Sequence, residues 1–305
     1  MKKLLILLTL FAGLLSLDAR ADASSQLVKY LPRNSFLIAG ADFTELQNNE
    51  VYLSMEQNNQ IWSYDGGTDG VGEYVKLLNL DTRKDIQSFA FSKYLNNYGG
   101  SGKVHIFSLK RDLTKELSAN ASNSYLAVAL YRISPDRDMY AVMLTPTTIA
   151  VGGLNEVKMA VDVLRLKVPS MLENATLTSL YGKIPARAAI WGVSIPLSRR
   201  KAADADAKQT TNSIISGFQN YYFYGTPTKA ATRTQFFGQT EDEKQAALIS
   251  SFMIGTLLVT KLRADETLGE MLDQVDVQHE GNSVHVTMVI TKEMVDAYYK
   301  GKLGF

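Results

Sequence analysis

The sequence predicts an α+β protein of two similar halves, each a mainly antiparallel sheet with helices packed on one face. Three observations carry this expectation. Segments of strand character come in consecutive runs with helices between the runs, the order of antiparallel pairing rather than of alternating βαβ units. The aromatic residues are mostly tyrosine and phenylalanine, 15 and 12 of them against 2 tryptophans, and such side chains suit a half-buried pleated surface. One pattern also occurs twice. Leu27-Val-Lys-Tyr-Leu-Pro32 leads into Ser35-Phe-Leu-Ile-Ala-Gly40, and Leu180-Tyr-Gly-Lys-Ile-Pro185 leads into Ala188-Ala-Ile-Trp-Gly-Val193. Each half then closes on strands followed by a capped helix, at Asn155 in the first and Thr291 in the second. The expected division is a signal peptide over 1–21, a first α+β half over 22–170 and a second over 171–305.

The elements follow in chain order. Lys2 and Lys3 precede an apolar run from Leu4 to Leu17, and Ala19-Arg20-Ala21 places small residues at the two positions a signal peptidase reads. That is the pattern of a secretory signal cleaved after Ala21, and the run is shorter than the roughly 18 to 20 residues of a membrane span. A periplasmic or secreted location is expected. Asp42 with Glu45 opens a helix over Phe43 to Met55 that breaks at Asn48-Asn49, and the Gly- and Asn-rich stretch from Asn58 to Glu73 reads as a surface loop. Gln87 to Ser92 and Lys103 to Ser108 read as neighbouring strands. Tyr125 to Arg132 and Asp138 to Leu144 read as a hairpin about Ser134-Pro135-Asp136. A helix from Glu156 to Lys167 sets Val157, Ala160, Val161, Leu164 and Val168 on one face and stops before Pro169.

In the second half, Lys208 to Ser216 reads as a helix, and Gln219 to Tyr224 and Thr232 to Phe237 as strands. Thr240 and Glu243 form a capping box that opens a helix from Glu241 to about Lys261. Its apolar stretch, Ala246 to Val259, is about 14 residues long and holds Ser250, Ser251, Gly255 and Thr256. That length predicts a buried core helix rather than a span. Near the C-terminus, apolar alternation requires Val277 to pair with Val286 and His279 with Val284 about a Gly281-Asn282 turn.

Composition narrows the chemistry. There is no cysteine, which excludes a thiol nucleophile, a cysteine metal site, a disulfide and a lipid-modified N-terminal cysteine. Cleavage after Ala21 removes Lys2, Lys3, Arg20 and Asp18 and takes the formal charge from +1 to −1. So near-neutral a chain has no field to attract nucleic acid. Gly99-Gly-Ser-Gly-Lys103 lacks the first glycine and the final Ser or Thr of a phosphate loop, and a strand follows it where such a loop opens a helix. Of the three histidines, His279 and His285 fall on opposite faces of their ribbon in the register above, and His105 lies in a strand. No Gly-x-Ser-x-Gly or His-Glu-x-x-His is present, and Ser198-Arg-Arg-Lys201 stands in a polar segment. No residue is therefore assigned to catalysis, to a cofactor or to a metal. The densest aromatic cluster is Tyr221-Tyr-Phe-Tyr224. Alternate residues of a strand face opposite ways, so one set is core, and the candidate binding surface is drawn from Tyr221, Tyr222 and Tyr224.

The lead-in Leu27-x-x-Tyr30-Leu-Pro32-x-x-Ser35 with Ala41-Asp42-Phe-Thr after its strand, and Ile149-Ala-Val-Gly-Gly153 before Asn155, resemble uncharacterised exported bacterial proteins with two similar α+β halves. The resemblance implies export and architecture and brings no activity with it. The function expected is that of an exported, non-enzymatic protein binding a partner or an envelope component, with no stable span after signal cleavage. Two alternatives stay open: a cofactor-free periplasmic hydrolase built from scattered residues, and a carrier of an apolar ligand held between a sheet and the helix from Glu241 to Lys261.

Overall fold

One antiparallel sheet of twelve strands organises the described residues. The structure is a computed structural model and describes residues 26–57, 71–96, 100–196, 217–263, 269–270 and 272–299. The strands are β1 (Ser35–Asp42), β2 (Ile86–Leu95), β3 (Ser101–Leu109), β4 (Ala121–Tyr125), β5 (Val128–Arg132), β6 (Tyr140–Thr145), β7 (Thr148–Gly152), β8 (Ile190–Ser194), β9 (Asn220–Pro227), β10 (Ala231–Gln239), β11 (Val275–Glu280) and β12 (Ser283–Thr291). Their spatial order is β11-β12-β10-β9-β8-β1-β2-β3-β7-β6-β5-β4. Read outward from the centre, β1-β2-β3-β7-β6 and β8-β9-β10-β12-β11 have corresponding connectivity, and β5 and β4 extend the first wing. The two strands that follow the repeated proline lead-in, β1 and β8, lie side by side at the centre.

Their register explains two small residues. Leu37 pairs with Ser194, Ile38 with Val193, Ala39 with Gly192 and Gly40 with Trp191. The Trp191 ring, 1% exposed, occupies the space that a side chain on Gly40 would need. A Cβ there would lie 2.5 Å from the Trp191 ring and 2.6 Å from the Phe89 carbonyl oxygen. Tyr181 meets the same indole edge-on at 4.9 Å.

The helices are α1 (Phe43–Leu46), α2 (Glu50–Gln57), α3 (Val71–Leu77), α4 (Thr114–Leu117), α5 (Leu154–Leu164), α6 (Ala175–Tyr181), α7 (Glu243–Arg263) and α8 (Lys292–Tyr299). On one face of the first wing, Val157, Ala160 and Val161 of α5 and Leu177 and Leu180 of α6 pack on Ile38, Ala90, Ile106 and Trp191. On the other face, Phe43, Tyr52 and Tyr74 from α1, α2 and α3 pack on Phe89, Phe107 and Ile149. The first wing thus carries a helical layer on each face, one more than the single layer expected. The second wing has a smaller core, in which Ala246 and Ile249 of α7 meet Phe218, Val277 and Val284. The wings are also tied at one end. The Asn49 side-chain amide donates to the carbonyls of Thr228 and Ala231 at 2.6 and 3.0 Å, and the Ser54 hydroxyl of α2 donates to the Asp296 carboxylate of α8.

Local chemistry accounts for the element ends. The buried Asp42 carboxylate accepts the N–H groups of Thr44 and Glu45 at 2.8 and 3.4 Å, so it caps α1 as its position predicts. The expected break at Asn48-Asn49 separates α1 from α2. Four expectations are corrected. The helix expected over Glu156 to Lys167 with a cap at Asn155 instead starts at Leu154 after Gly153, without a side-chain cap, and ends at Leu164, because Leu166 adopts φ 57° and the Lys167 N–H turns back to the Asp162 carbonyl at 2.8 Å. The end of the expected loop from Asn58 to Glu73 is helical from Val71 onward. The continuous strand expected over Tyr125 to Arg132 is a tight hairpin of β4 and β5, in which Tyr125 pairs with Val128. Its two turn residues, Leu126 and Ala127, have φ 50° and 62°, a left-handed pair that a sequence without Gly or Asn there does not announce. The fourth correction, at Thr240, concerns α7 and is described with it below. The helix expected over Lys208 to Ser216 lies outside the described residues.

Two outcomes follow. Gly40→Ala overpacks the junction against an indole and a carbonyl that have no free direction to move; it lowers the unfolding free energy by about 1–3 kcal/mol in urea titration. Ala127→Gly relieves a left-handed residue on an exposed turn and raises stability by a few tenths to about 1 kcal/mol in the same assay.

Candidate functional site

Among the described residues α7 is the longest helix, and its start is held firmly. The Asp242 carboxylate accepts the Gln245 N–H at 2.8 Å, and the Gln245 side-chain oxygen accepts the Glu241 N–H at 3.1 Å. The capping role expected of Thr240 with Glu243 therefore belongs to Asp242. Thr240 is fully buried, and its N–H donates to the Asn282 carbonyl at 2.8 Å, which fastens the helix start to the turn between β11 and β12.

From Gln245 to Thr260 the helix contains no charged residue. Ala246, Ile249, Met253 and Leu257, at spacings of three and four, form the ridge that faces the sheet. The remaining apolar residues have no sheet to face. Leu248 is 70% exposed, Phe252 54%, Leu258 58% and Leu262 87%, and Ile254 and Val259 are exposed beside them. At 100° per residue these six side chains sweep an arc of about 160°. The expected buried core helix is thus corrected: only 17% of its most apolar window lies inside the structure. The reason is geometric. A helix that is apolar on all sides needs cover on all sides, and a single sheet covers one ridge. Among the described residues this is also the one helix long and apolar enough to cross a membrane by length and composition.

Two of its hydroxyls are bonded within the helix. The hydroxyls of Thr256 and Thr260 donate to the backbone carbonyls of Phe252 and Thr256 at 2.9 and 2.8 Å. Such back-bonding removes the hydroxyl donor from the helix surface. The first flanking cation at the C-terminal end, Lys261, forms an ion pair with Asp273.

The aromatic cluster divides between the two sheet faces. Tyr221 lies under α7, 5.4 Å from the Phe236 ring. Tyr222 and Tyr224 lie on the opposite face, at the margin of the first-wing core. There the Phe237 ring stacks on Tyr222 at 4.7 Å and 10° and on Tyr224 at 6.0 Å and 20°, while His285 meets Phe237 edge-on at 4.5 Å. The Lys183 ammonium lies 5.6 Å from the centre of the Tyr222 ring. Burial pushes the Tyr222 phenol above its ordinary value, and the neighbouring Tyr224 adds to this. Burial raises Tyr224 as well, partly opposed by the Arg233 charge. Both phenols stay neutral over the physiological range. Tyr221, Tyr222 and Tyr224 therefore do not form one surface, and the row on the open face turns its ring planes toward one another.

The histidines sit as their strands dictate. Val277 pairs with Val286, Gln278 with His285 and His279 with Val284, so His279 and His285 point to opposite faces. His105 is buried on β3 beside the Tyr74, Phe89 and Phe91 rings at 4.9, 6.0 and 5.9 Å. Among the described residues no group of three or more His, Asp or Glu is placed to hold a metal. Gly100 stands directly before β3, and its N–H donates to the Asn96 side-chain oxygen at 2.8 Å; Gly99 lies outside the described residues. Ser198 to Lys201 lies outside the described residues.

No family model matches the chain, and no curated protein matches it in sequence. Solved structures do. A crystal structure of TP0453, form III, is similar with a TM-score of 0.52 at 7% identity, over 90% of this chain and 98% of that one. Crystal form I of TP0453 gives a TM-score of 0.49 at 10% identity, over 91% and 98% of the two chains. The form III likeness shows a shared α+β fold.

The two candidate surfaces separate by stability. Phe237→Ala removes the ring at the middle of the row and lowers the unfolding free energy by about 1–3 kcal/mol. Phe252→Ser on the outer side of α7 stays within about 0.5 kcal/mol of wild type. Equal losses in the two variants would show that the outer side of α7 is packed.

Proposed function

We propose that the protein is an exported, non-enzymatic protein that binds an envelope component, and that α7 is the element that binds. One observation carries this reading: a helix of 21 residues from which six large apolar side chains, between Leu248 and Leu262, point away from the sheet. Contiguous apolar surface of this extent is uncommon on a free soluble chain and marks a site of association. The basic, apolar and small-residue pattern from Lys2 to Ala21 supports export. The rigid capping of α7 by Asp242 and its anchoring through Thr240 to the β11–β12 turn support a surface held ready for a partner rather than a packing defect.

The reading is tested in the host. The protein is expected in the envelope fraction with an N-terminus beginning after Ala21. A variant carrying both Phe252→Ser and Leu258→Ser is expected to be exported and folded equally well, and to move largely to the soluble fraction. Retention of this variant in the envelope at wild-type level would show that α7 is not the binding element.

A further inference from the structure

Resting on that reading, we infer that the component bound is the phospholipid bilayer itself, and that α7 lies along its surface with the outer arc inserted and the sheet still attached behind it. Three features point to lipid. The first is the width of the exposed arc. A paired helix needs a narrow seam, whereas Leu248, Phe252, Ile254, Leu258, Val259 and Leu262 present apolar side chains over about 160°, which suits a continuous apolar medium. The second is the absence of charge from Gln245 to Thr260, together with hydroxyls of Thr256 and Thr260 that are already bonded to the helix backbone. Polar groups entering a bilayer must be satisfied internally; these two are, and Ser251 is the one hydroxyl exposed within the arc itself. The third is the anchoring on the inner side. Ala246 and Ile249 are buried against Phe218, Val277 and Val284, so a helix crossing the bilayer would have to strip this core bare. A helix that keeps its inner ridge on the sheet can sink only its outer half, about 5–10 Å, into the headgroup and acyl boundary.

The charge pattern adds a further constraint. Of the cations that border the apolar stretch, Lys261 is paired with Asp273, and Lys244 follows Glu241, Asp242 and Glu243, which outnumber it. Attraction to anionic headgroups is therefore not the source of binding. Association with neutral lipid is sufficient and is insensitive to salt.

The test uses the mature protein and unilamellar vesicles of phosphatidylcholine. Wild type is expected to float with the vesicles, with partitioning changed less than about twofold between 0.05 and 0.5 M NaCl. Phe252→Ser and Leu258→Ser are each expected to weaken partitioning about tenfold or more, with melting curves unchanged. A Phe252→Trp variant, read against the wild-type emission of Trp62 and Trp191, is expected to shift to the blue on vesicles and to be quenched most by bromine placed high on the acyl chains. Quenching greatest at the bilayer centre would overturn the surface orientation in favour of a span. Binding that needs anionic lipid and is lost in salt would overturn the apolar mechanism. Failure to float, with a dimer in solution that the same serine variants dissociate, would assign the arc to a second copy of this chain. Failure to float while α7 still determines retention in the envelope would overturn the lipid assignment and leave the envelope-binding reading standing; loss of both would remove both.

Discussion

The antiparallel junction of β1 and β8 is the contact on which the rest of the structure depends. Two wings of corresponding connectivity meet there, and the hydrogen-bonded register from Leu37–Ser194 to Ala41–Ile190 makes them one sheet. The junction closes because Gly40 leaves room for Trp191, whose ring fills the space between β1 and α6. A shift of one residue in this register would turn Ile38 and Val193 from the core to the opposite face and would bring a side chain under the indole. A second tie runs from Asn49 and Ser54 of α2 to the β9–β10 turn and α8. Together they fix the wings as one body over the described residues.

The wings differ in what covers them, and the candidate site follows from this difference. In the first wing both faces of the sheet are under helices, and Ile106 and Phe107, adjacent residues of β3, are each fully buried on opposite sides. In the second wing the core beneath α7 is small, and above α7 there is no further layer among the described residues. Hydrophobic stabilisation scales with area removed from water, so a helix touching one sheet through one ridge gains only part of what its composition offers. The exposed remainder is free energy available for association. That is the physical content of the binding proposal, and it requires no pocket.

The aromatic row illustrates how composition and geometry can point in different directions. Four consecutive aromatic residues suggest a platform for a planar ligand. Strand alternation divides them, and cross-strand pairing then directs the rings on the open face against Phe237 and His285. Stacked rings that stand on a sheet cover each other's faces and leave edges and phenol oxygens toward solvent. The row therefore contributes chiefly to holding β9, β10 and β12 together.

The class of fold, most element positions, the register of the last hairpin and the recurrence of the proline lead-in were legible in the sequence, because these depend on local periodicity and on residues such as Asp42, Pro32 and Gly281 whose chemistry acts at short range; that the two strands after the lead-in would lie side by side was not. The sequence also contained the apolar character of α7 in full, since Leu248, Phe252, Val259 and Leu262 fall on one side and Ala246, Ile249, Met253 and Leu257 on the other. What it did not contain was which side would be covered. A period of 3.6 identifies a buried face only when the opposite face is polar, and here both are apolar. The left-handed turn at Leu126-Ala127 and the early end of α5 at Leu166 were illegible for a related reason: packing holds residues in backbone conformations their own preferences do not favour. The tertiary structure decided these, together with the exposure of α7, because cover is a property of neighbouring layers that no single segment encodes.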